Sequence, residues 1–175
     1  IHLLSWIQIM IFGHLVLHNN KGKTMSINCI RTLIEDANIS NPNKVALVFG
    51  NEKLTYNELF TKVNQIAYYL SELDLPKGSR IGVYSNKGID QVVAILAILS
   101  TQYVLVPLTK LLKPEQVEYI IGDCDIKCII TDKIKIESIE EIKFDGHIIS
   151  YETTHKELPS FEEIYKYYNK PYSCD

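Results

Sequence analysis

Glycine is sparse and never clustered in this 175-residue chain. The eight glycines stand at positions 13, 22, 50, 78, 82, 88, 122 and 146, and no subset fits G-x-G-x-x-G or G-x-x-x-x-G-K-[ST]. Backbone N–H groups close round a phosphate where neighbouring glycines let the chain turn tightly, so these residues hold no such cradle. Gly78 and Gly82 come nearest, yet they flank the start of one apolar strand, where a cradle would not lie. A surplus of positive charge is also missing. Lys and Arg number 18 against 21 Asp and Glu, for a net charge of −3, and the basic residues are scattered. That excludes the electrostatic footprint of a nucleic-acid binder.

Cysteine is too thinly spread for a disulfide framework. Cys29, Cys124, Cys128 and Cys174 form no C-x-x-C pair, which fits reduced thiols in a cytoplasmic protein. Cys124 and Cys128 have the spacing of one helical turn, but Asp125 and Ile126 read as a turn into a strand. A metal there would lack its other ligands. With 46% apolar and 22% charged residues, the remainder has the balance of one globular domain with a core.

A long apolar run is nearly present, at the start of the chain. Leu3 to Leu17 is apolar but broken by Gln8 and His14, and falls short of the roughly 20 residues of a spanning helix. No basic segment precedes it and no small-residue cleavage site follows, so a signal peptide fits poorly. Met25 opens the ordinary-looking MSINCIRTLIEDA. Residues 1–24 are therefore expected to be a non-native upstream segment or apolar leader, with a membrane anchor as the alternative. His14 and His18 lie one helical turn apart, without a third ligand.

From Asn28 onward, regular patterns begin. Ile30, Leu33, Ile34 and Ala37 recur at helical spacing, and Asn41-Pro42-Asn43 stops that helix. Val45–Phe49, the turn Gly50-Asn51 and Lys53-Leu54 read as a β-hairpin. Thr55 and Glu58 form a capping box ahead of a helix whose stripe is Leu59, Val63, Ile66, Leu70 and Leu73. Strands then alternate with helices: Arg80–Tyr84, helix Ile89–Ser100, Tyr103–Val106, helix Pro114–Ile121, Lys127–Thr131, a weak helix Ile134–Ile142, and His147–Tyr151. Ser160 and Glu163 make a second capping box before a short helix through Tyr168. The expected fold class is α/β: a mostly parallel sheet with crossover helices, preceded by a helix and a β-hairpin. Helix Ile89–Ser100 is apolar on nearly every side and should be buried on more than one face, although no covering layer is evident.

Chemistry is hard to find. His147 opens a strand and His155 lies in a loop, neither with a partner to orient it. Asp123 and Asp125 read as turn residues. The strand ends Ser85-Asn86-Lys87, Pro107-Leu108-Thr109 and Thr131-Asp132 sit where open α/β sheets bind ligands, yet surface loop is the expectation for them. No catalytic, cofactor-binding or metal-binding residue is assigned.

LTYNEL (Leu54–Leu59) resembles the first core motif of the adenylate-forming, AMP-binding superfamily of acyl-CoA synthetases and nonribosomal-peptide adenylation domains. The context VALVFGNEKLTYNELFTKVNQIAYYLSEL and the run PKGSRIGVYSNKGIDQVVAILAIL are similar too. Tyr103–Asp132 resembles the second core motif with the helix and strand behind it, and SFEEIY (Ser160–Tyr165) a short helix usual in the family. Two stretches depart: Ser100-Thr101-Gln102 replaces a common Lys-Ala-Gly, and Pro107-Leu108-Thr109 a Pro-Leu-Asp or Pro-Leu-Asn.

The resemblance implies that residues 25–175 are the N-terminal part of an AMP-binding ligase domain, ending before its Gly-rich phosphate loop. Such an enzyme, acyl-CoA synthetase-like, turns a small carboxylic acid and ATP, with Mg²⁺, into an acyl-adenylate, then a thioester on CoA or phosphopantetheine. The implied partner is the remainder of the same adenylation domain, with no nucleic acid and no membrane, in the cytoplasm. These 175 residues alone are expected neither to turn over ATP nor to bind it tightly. The alternative is a self-standing α/β binding or regulatory module without catalysis.

Overall fold

A computed structural model describes residues 30–154, 157–168 and 172. Helix α1 (Ile30–Ser40) leads into a hairpin of β1 (Val45–Phe49) and β2 (Glu52–Thr55), antiparallel and turned at Gly50 with φ of 60°. Helix α2 (Tyr56–Ser71) starts on the capping box expected from the sequence. The Glu58 N–H donates to Thr55 Oγ1 at 3.3 Å, and Glu58 Oε2 accepts from the Thr55 N–H at 2.8 Å. Its stripe Leu59, Val63, Ile66 and Leu70 is buried, whereas Leu73 lies past the helix end and is half-buried.

Four strands follow with three crossover helices: β3 (Arg80–Tyr84), α3 (Ile89–Leu99), β4 (Val104–Leu108), α4 (Pro114–Cys124), β5 (Ile126–Thr131), α5 (Ile136–Glu141) and β6 (His147–Ser150). They form one parallel sheet in the order β4-β3-β5-β6. The α/β class and the preceding helix and hairpin are as the pattern implied. Helix α6 (Phe161–Tyr167) closes the described fold on its own capping box, with a parallel bridge between Ser150 and Ser160.

The chain runs outward from β3 to β4, then jumps back over β3 to β5 and on to β6. Same-handed crossovers running in opposite directions place their helices on opposite faces. Accordingly Ile81, Val83, Cys128, Ile130 and Ile149 pack with α2, α3 and α6. Tyr84, Leu108 and Ile129 pack with Val117 of α4 and Ile139 of α5 on the other face.

The covering layer that the sequence left undefined for α3 is supplied by α1, α2 and the hairpin, all in contact with it. No residue of α3 is fully exposed. Polar clasps tie this layer together. Arg31 Nε donates to Asn64 Oδ1 at 3.0 Å between α1 and α2, and Gln65 Nε2 donates to the Tyr165 carbonyl at 3.0 Å between α2 and α6.

Two irregularities shape the sheet. The register of β3 against β5 slips between Arg80/Ile126 and Ile81/Cys128, leaving Lys127 as an extra, exposed residue. This bulge lets Ile126 and Ile129, three apart, face the same core. At the outer edge, the Val104 N–H donates to the Ser79 carbonyl at 2.9 Å, so by ladder alternation Leu105 and Pro107 point their backbone groups away from β3. Proline, lacking an N–H, therefore sits where no ladder bond to β3 is missed.

Candidate functional site

The connections leave toward opposite faces between β3 and β5, the position at which open α/β sheets collect ligands. Here that gap is bridged by the chain itself. Asp132, just past β5, uses Oδ2 to accept from the Asn86 backbone N–H at 2.6 Å and from Asn86 Nδ2 at 2.9 Å. Its Oδ1 accepts from the backbone N–H groups of Ile134 and Lys135, both at 3.0 Å. Four donors thus occupy a carboxylate that is only 6% exposed. Charge-assisted bonds of this kind are roughly twice as strong as neutral ones.

The neighbouring strand ends are braced in the same way. Thr131 Oγ1 donates to the Tyr84 carbonyl at 2.7 Å, and Ser85 Oγ shares a 2.9 Å hydrogen bond with the Tyr151 hydroxyl. Gln91 Nε2, in the first turn of α3, donates to Ser85 Oγ at 3.3 Å. On the opposite face the Tyr84 hydroxyl donates to the Leu112 carbonyl at 2.9 Å, and Lys135 Nζ lies 4.9 Å from the Tyr84 ring centre. The Lys133 N–H donates to Glu152 Oε2 at 3.0 Å. The loops following all four strands are thereby laced to one another.

Beside this bracket lies a second group, drawn from α2, α3 and α6. Lys62 Nζ stands 3.7 Å from the centre of the Tyr165 ring. Burial lowers the Lys62 pKa, with Asp90 and then Glu58 pulling the other way. Burial raises the Asp90 pKa, and Lys62 only partly offsets it. The phenols of Tyr151 and Tyr165 are pushed up by burial as well, the former eased by its bond to Ser85. The Tyr165 hydroxyl is buried without a hydrogen-bond partner, as is Ser150 Oγ at the end of β6. Each such orphan forfeits a bond that water would have given it.

The surface-loop expectation for the strand ends holds for Lys87 and Thr109, which are exposed, and fails for Ser85, Thr131 and Asp132, which are buried. His147 is exposed at the start of β6. Asp123 belongs to the last turn of α4 rather than to a turn, while Asp125 caps that helix with φ of 49° and pairs with Lys127 Nζ at 2.6 Å. Cys124 ends α4 and Cys128 is buried in β5, both as free thiols. His14, His18, Cys29, His155 and Cys174 fall outside the described residues. Sequence reasoning gave no role to Lys62, Asp90, Tyr151 or Tyr165. The only available signal was that Asp90 and Gln91 open the helix that follows the end of β3.

For the nucleotide and metal that the resemblance implies, this edge of the sheet is a poor match. Asp132 would have to release backbone donors before it could bind a cation, and Tyr151 is spent on Ser85. Among the described residues no three His, Cys, Asp or Glu side chains converge to hold a metal ion. The hydrogen bonds of Asp132, Thr131 and Ser85 hold the loops in place.

Comparison with known proteins agrees with the fold. The chain superposes on the anthranilate CoA ligase AuaEII, solved with anthranoyl-AMP, with a TM-score of 0.77 at 22% identity, covering 84% of this chain and 29% of that one. It likewise matches a benzoate CoA ligase from Burkholderia xenovorans LB400, with a TM-score of 0.74 at 19% identity over 83% of this chain and 30% of that one. In sequence it is 33% identical over 135 residues to gramicidin S synthase 1 of Brevibacillus brevis, which covers 77% of this chain but only 12% of the synthase. The zwittermicin A synthase ZmaJ of Bacillus cereus is 34% identical over 105 residues, 60% of this chain and 20% of that protein. The chain therefore spans a small part of the curated relatives it matches. The model of the family described as AMP-binding enzyme matches residues 34–171, and the chain belongs to that family.

Proposed function

We propose that this chain is the N-terminal scaffold of an AMP-forming, carboxylate-activating ligase. The whole enzyme would join a small carboxylic acid to ATP as an acyl-adenylate, releasing pyrophosphate, and pass the acyl group to a thiol. The observation that carries this reading is the family match across residues 34–171. The CoA ligases among the structural neighbours suit CoA as acceptor. The peptide-antibiotic synthases among the sequence relatives suit a carrier-bound phosphopantetheine. A cytoplasmic setting accords with either, and no helix among the described residues is long and apolar enough to cross a membrane.

In this reading the 175 residues frame a site without operating it. The self-filled gap between β3 and β5 supports that, as does the scatter of glycines. Acid-dependent ATP–pyrophosphate exchange, run with a panel of carboxylic and amino acids, is the test. The chain alone should stay at the no-protein blank, and the product of its full reading frame should respond to particular acids. Exchange by the chain alone overturns the scaffold role; a full-frame product silent with every acid overturns the ligase reading.

One observation favours a second reading, the self-standing binding module: helices cover both faces of the four-stranded sheet. A chain that can fold by itself should unfold cooperatively in urea and elute as a single species on size exclusion. Aggregation would count against this second reading.

A further inference from the structure

Away from the strand ends, a pocket of about 310 Å³ opens between α2, α6 and the segment before α6. It is lined by Tyr69, Ile164, Tyr167 and Tyr168, together with Glu157 and Glu163. Its described lining contains no Lys, Arg or His. Negative charge and aromatic surface thus meet in one concavity whose described lining residues carry no cation of their own.

The geometry of the rings is suited to a cation. Tyr69 and Tyr168 stand perpendicular, at 88° with centroids 5.1 Å apart, and so form a corner rather than a stack. Tyr167 is 68% exposed, which gives its ring room to adjust over the opening. The face of an aromatic ring carries negative potential and attracts cations, the more so when they are weakly hydrated. This fold already pairs ammonium groups with tyrosines, Lys166 lying 5.1 Å from the Tyr167 centroid and Lys62 3.7 Å from that of Tyr165. Glu163 is fixed by its capping box through Oε2, so its charge stays at the pocket wall. The volume sits at the small end of the range of about 300–1,000 Å³ for small-molecule sites.

We infer that the Tyr69–Tyr167–Tyr168 pocket, with Glu157 and Glu163, binds a free small organic ammonium ion carrying alkyl groups. The aromatic walls favour such an ion over a hydrated metal cation, which would surrender strongly held water for weak ring contacts. Burial pushes the Tyr69 phenol up to about 12, so it stays neutral in any ordinary buffer. The inference is independent of the adenylation reading.

The test is a titration of the full 175-residue chain with tetramethylammonium chloride, followed by two-dimensional NMR. Sodium chloride at equal ionic strength and tert-butanol, the uncharged analogue, serve as comparisons. Saturable shifts at Tyr69, Tyr167 and Tyr168, with a dissociation constant in the millimolar range, are expected only with tetramethylammonium. Tyr167→Leu should weaken binding at least about threefold, as loss of a cation–π contact requires, while Tyr167→Phe keeps it. Glu157→Gln should weaken it as well. Equal shifts with sodium chloride, matching affinity for tert-butanol, or full affinity in Tyr167→Leu would each overturn the inference. Tyr167 lies on an exposed face, and circular dichroism of each variant establishes that the fold persists.

Discussion

The ammonium of Lys62 lies over the ring of Tyr165, 3.7 Å from its centre, joining α2 to α6 where α3 begins with Asp90. Three half-buried or buried polar groups from three helices share this corner. Glu152, Glu52 and Glu162 add negative potential at Asp90, and Glu58 favours the charged form of Lys62.

This corner should give a measurable pH dependence. Burial raises the Asp90 pKa despite Lys62, so the folded chain holds that proton more tightly than the unfolded chain. The resulting stability is present at low pH and is lost as pH rises from the ordinary carboxylate value through the folded value. Asp90→Asn should therefore be more stable than the parent above that window, by a margin that partial exposure keeps small, and equal to it below. Urea midpoints across the acid range measure the difference. A less stable variant at neutral pH would mean that the attraction of Lys62 outweighs the burial of Asp90.

Asp132→Ala should be among the more damaging single changes. It takes the carboxylate acceptor from the N–H groups of Asn86, Ile134 and Lys135, of which only Lys135 keeps another, the Asp132 backbone carbonyl at 3.1 Å. Unsatisfied buried donors cost about 1–3 kcal/mol each, and partial access to water moderates their sum, so a loss of about 3 kcal/mol is expected in urea unfolding. Asp132→Asn keeps one acceptor oxygen and should lose about half as much.

Gly146→Ala tests the bulge in β5. A Cβ at Gly146 would lie 2.6 Å from the carbonyl oxygen of Lys127, the extra residue, and would also strike the Phe144 ring. Phe144 can swing away, but the Lys127 carbonyl is backbone within β5 and cannot yield as a side chain does. A cost of about 1–3 kcal/mol is expected from thermal or urea unfolding. Gly88→Ala, whose Cβ meets nothing within 4 Å, should leave stability nearly unchanged.

The capping boxes can be ranked against each other. Thr55→Ala and Ser160→Ala each remove a hydroxyl that accepts from the N–H three residues on, at 3.3 Å in both. Each should cost about 1 kcal/mol. Ser160 should cost more than Thr55, because it is fully buried and its strand bridge to Ser150 depends on its placement. Chemical denaturation of the two variants settles the order.

What the sequence disclosed follows a physical line. Arg80–Tyr84, the hairpin and both capping boxes were legible because their signals lie within a few residues of one another. The start of β5 was read one residue late, since the bulge at Lys127 breaks the alternation that marks a strand. The covering of α3 was invisible because α1, α2 and the hairpin reach it only through tertiary packing. Asp132 shows the same limit in the candidate site. Its partner Asn86 is 46 residues away, and nothing in Thr131-Asp132 signals four donors converging on one carboxylate. Tyr151, Tyr165 and Lys62 likewise acquire their altered acidity from burial, which no local pattern encodes.

Pro107 sets a direction for anything that would lengthen the sheet beyond β4. A strand arriving at that side finds an amide donor at Leu105, but at Pro107 only a carbonyl. Such a strand is held at the Leu105 end and left loose toward Leu108. Extension of the ladder is thereby steered away from the laced strand ends, and accidental pairing between copies of the chain is blunted there.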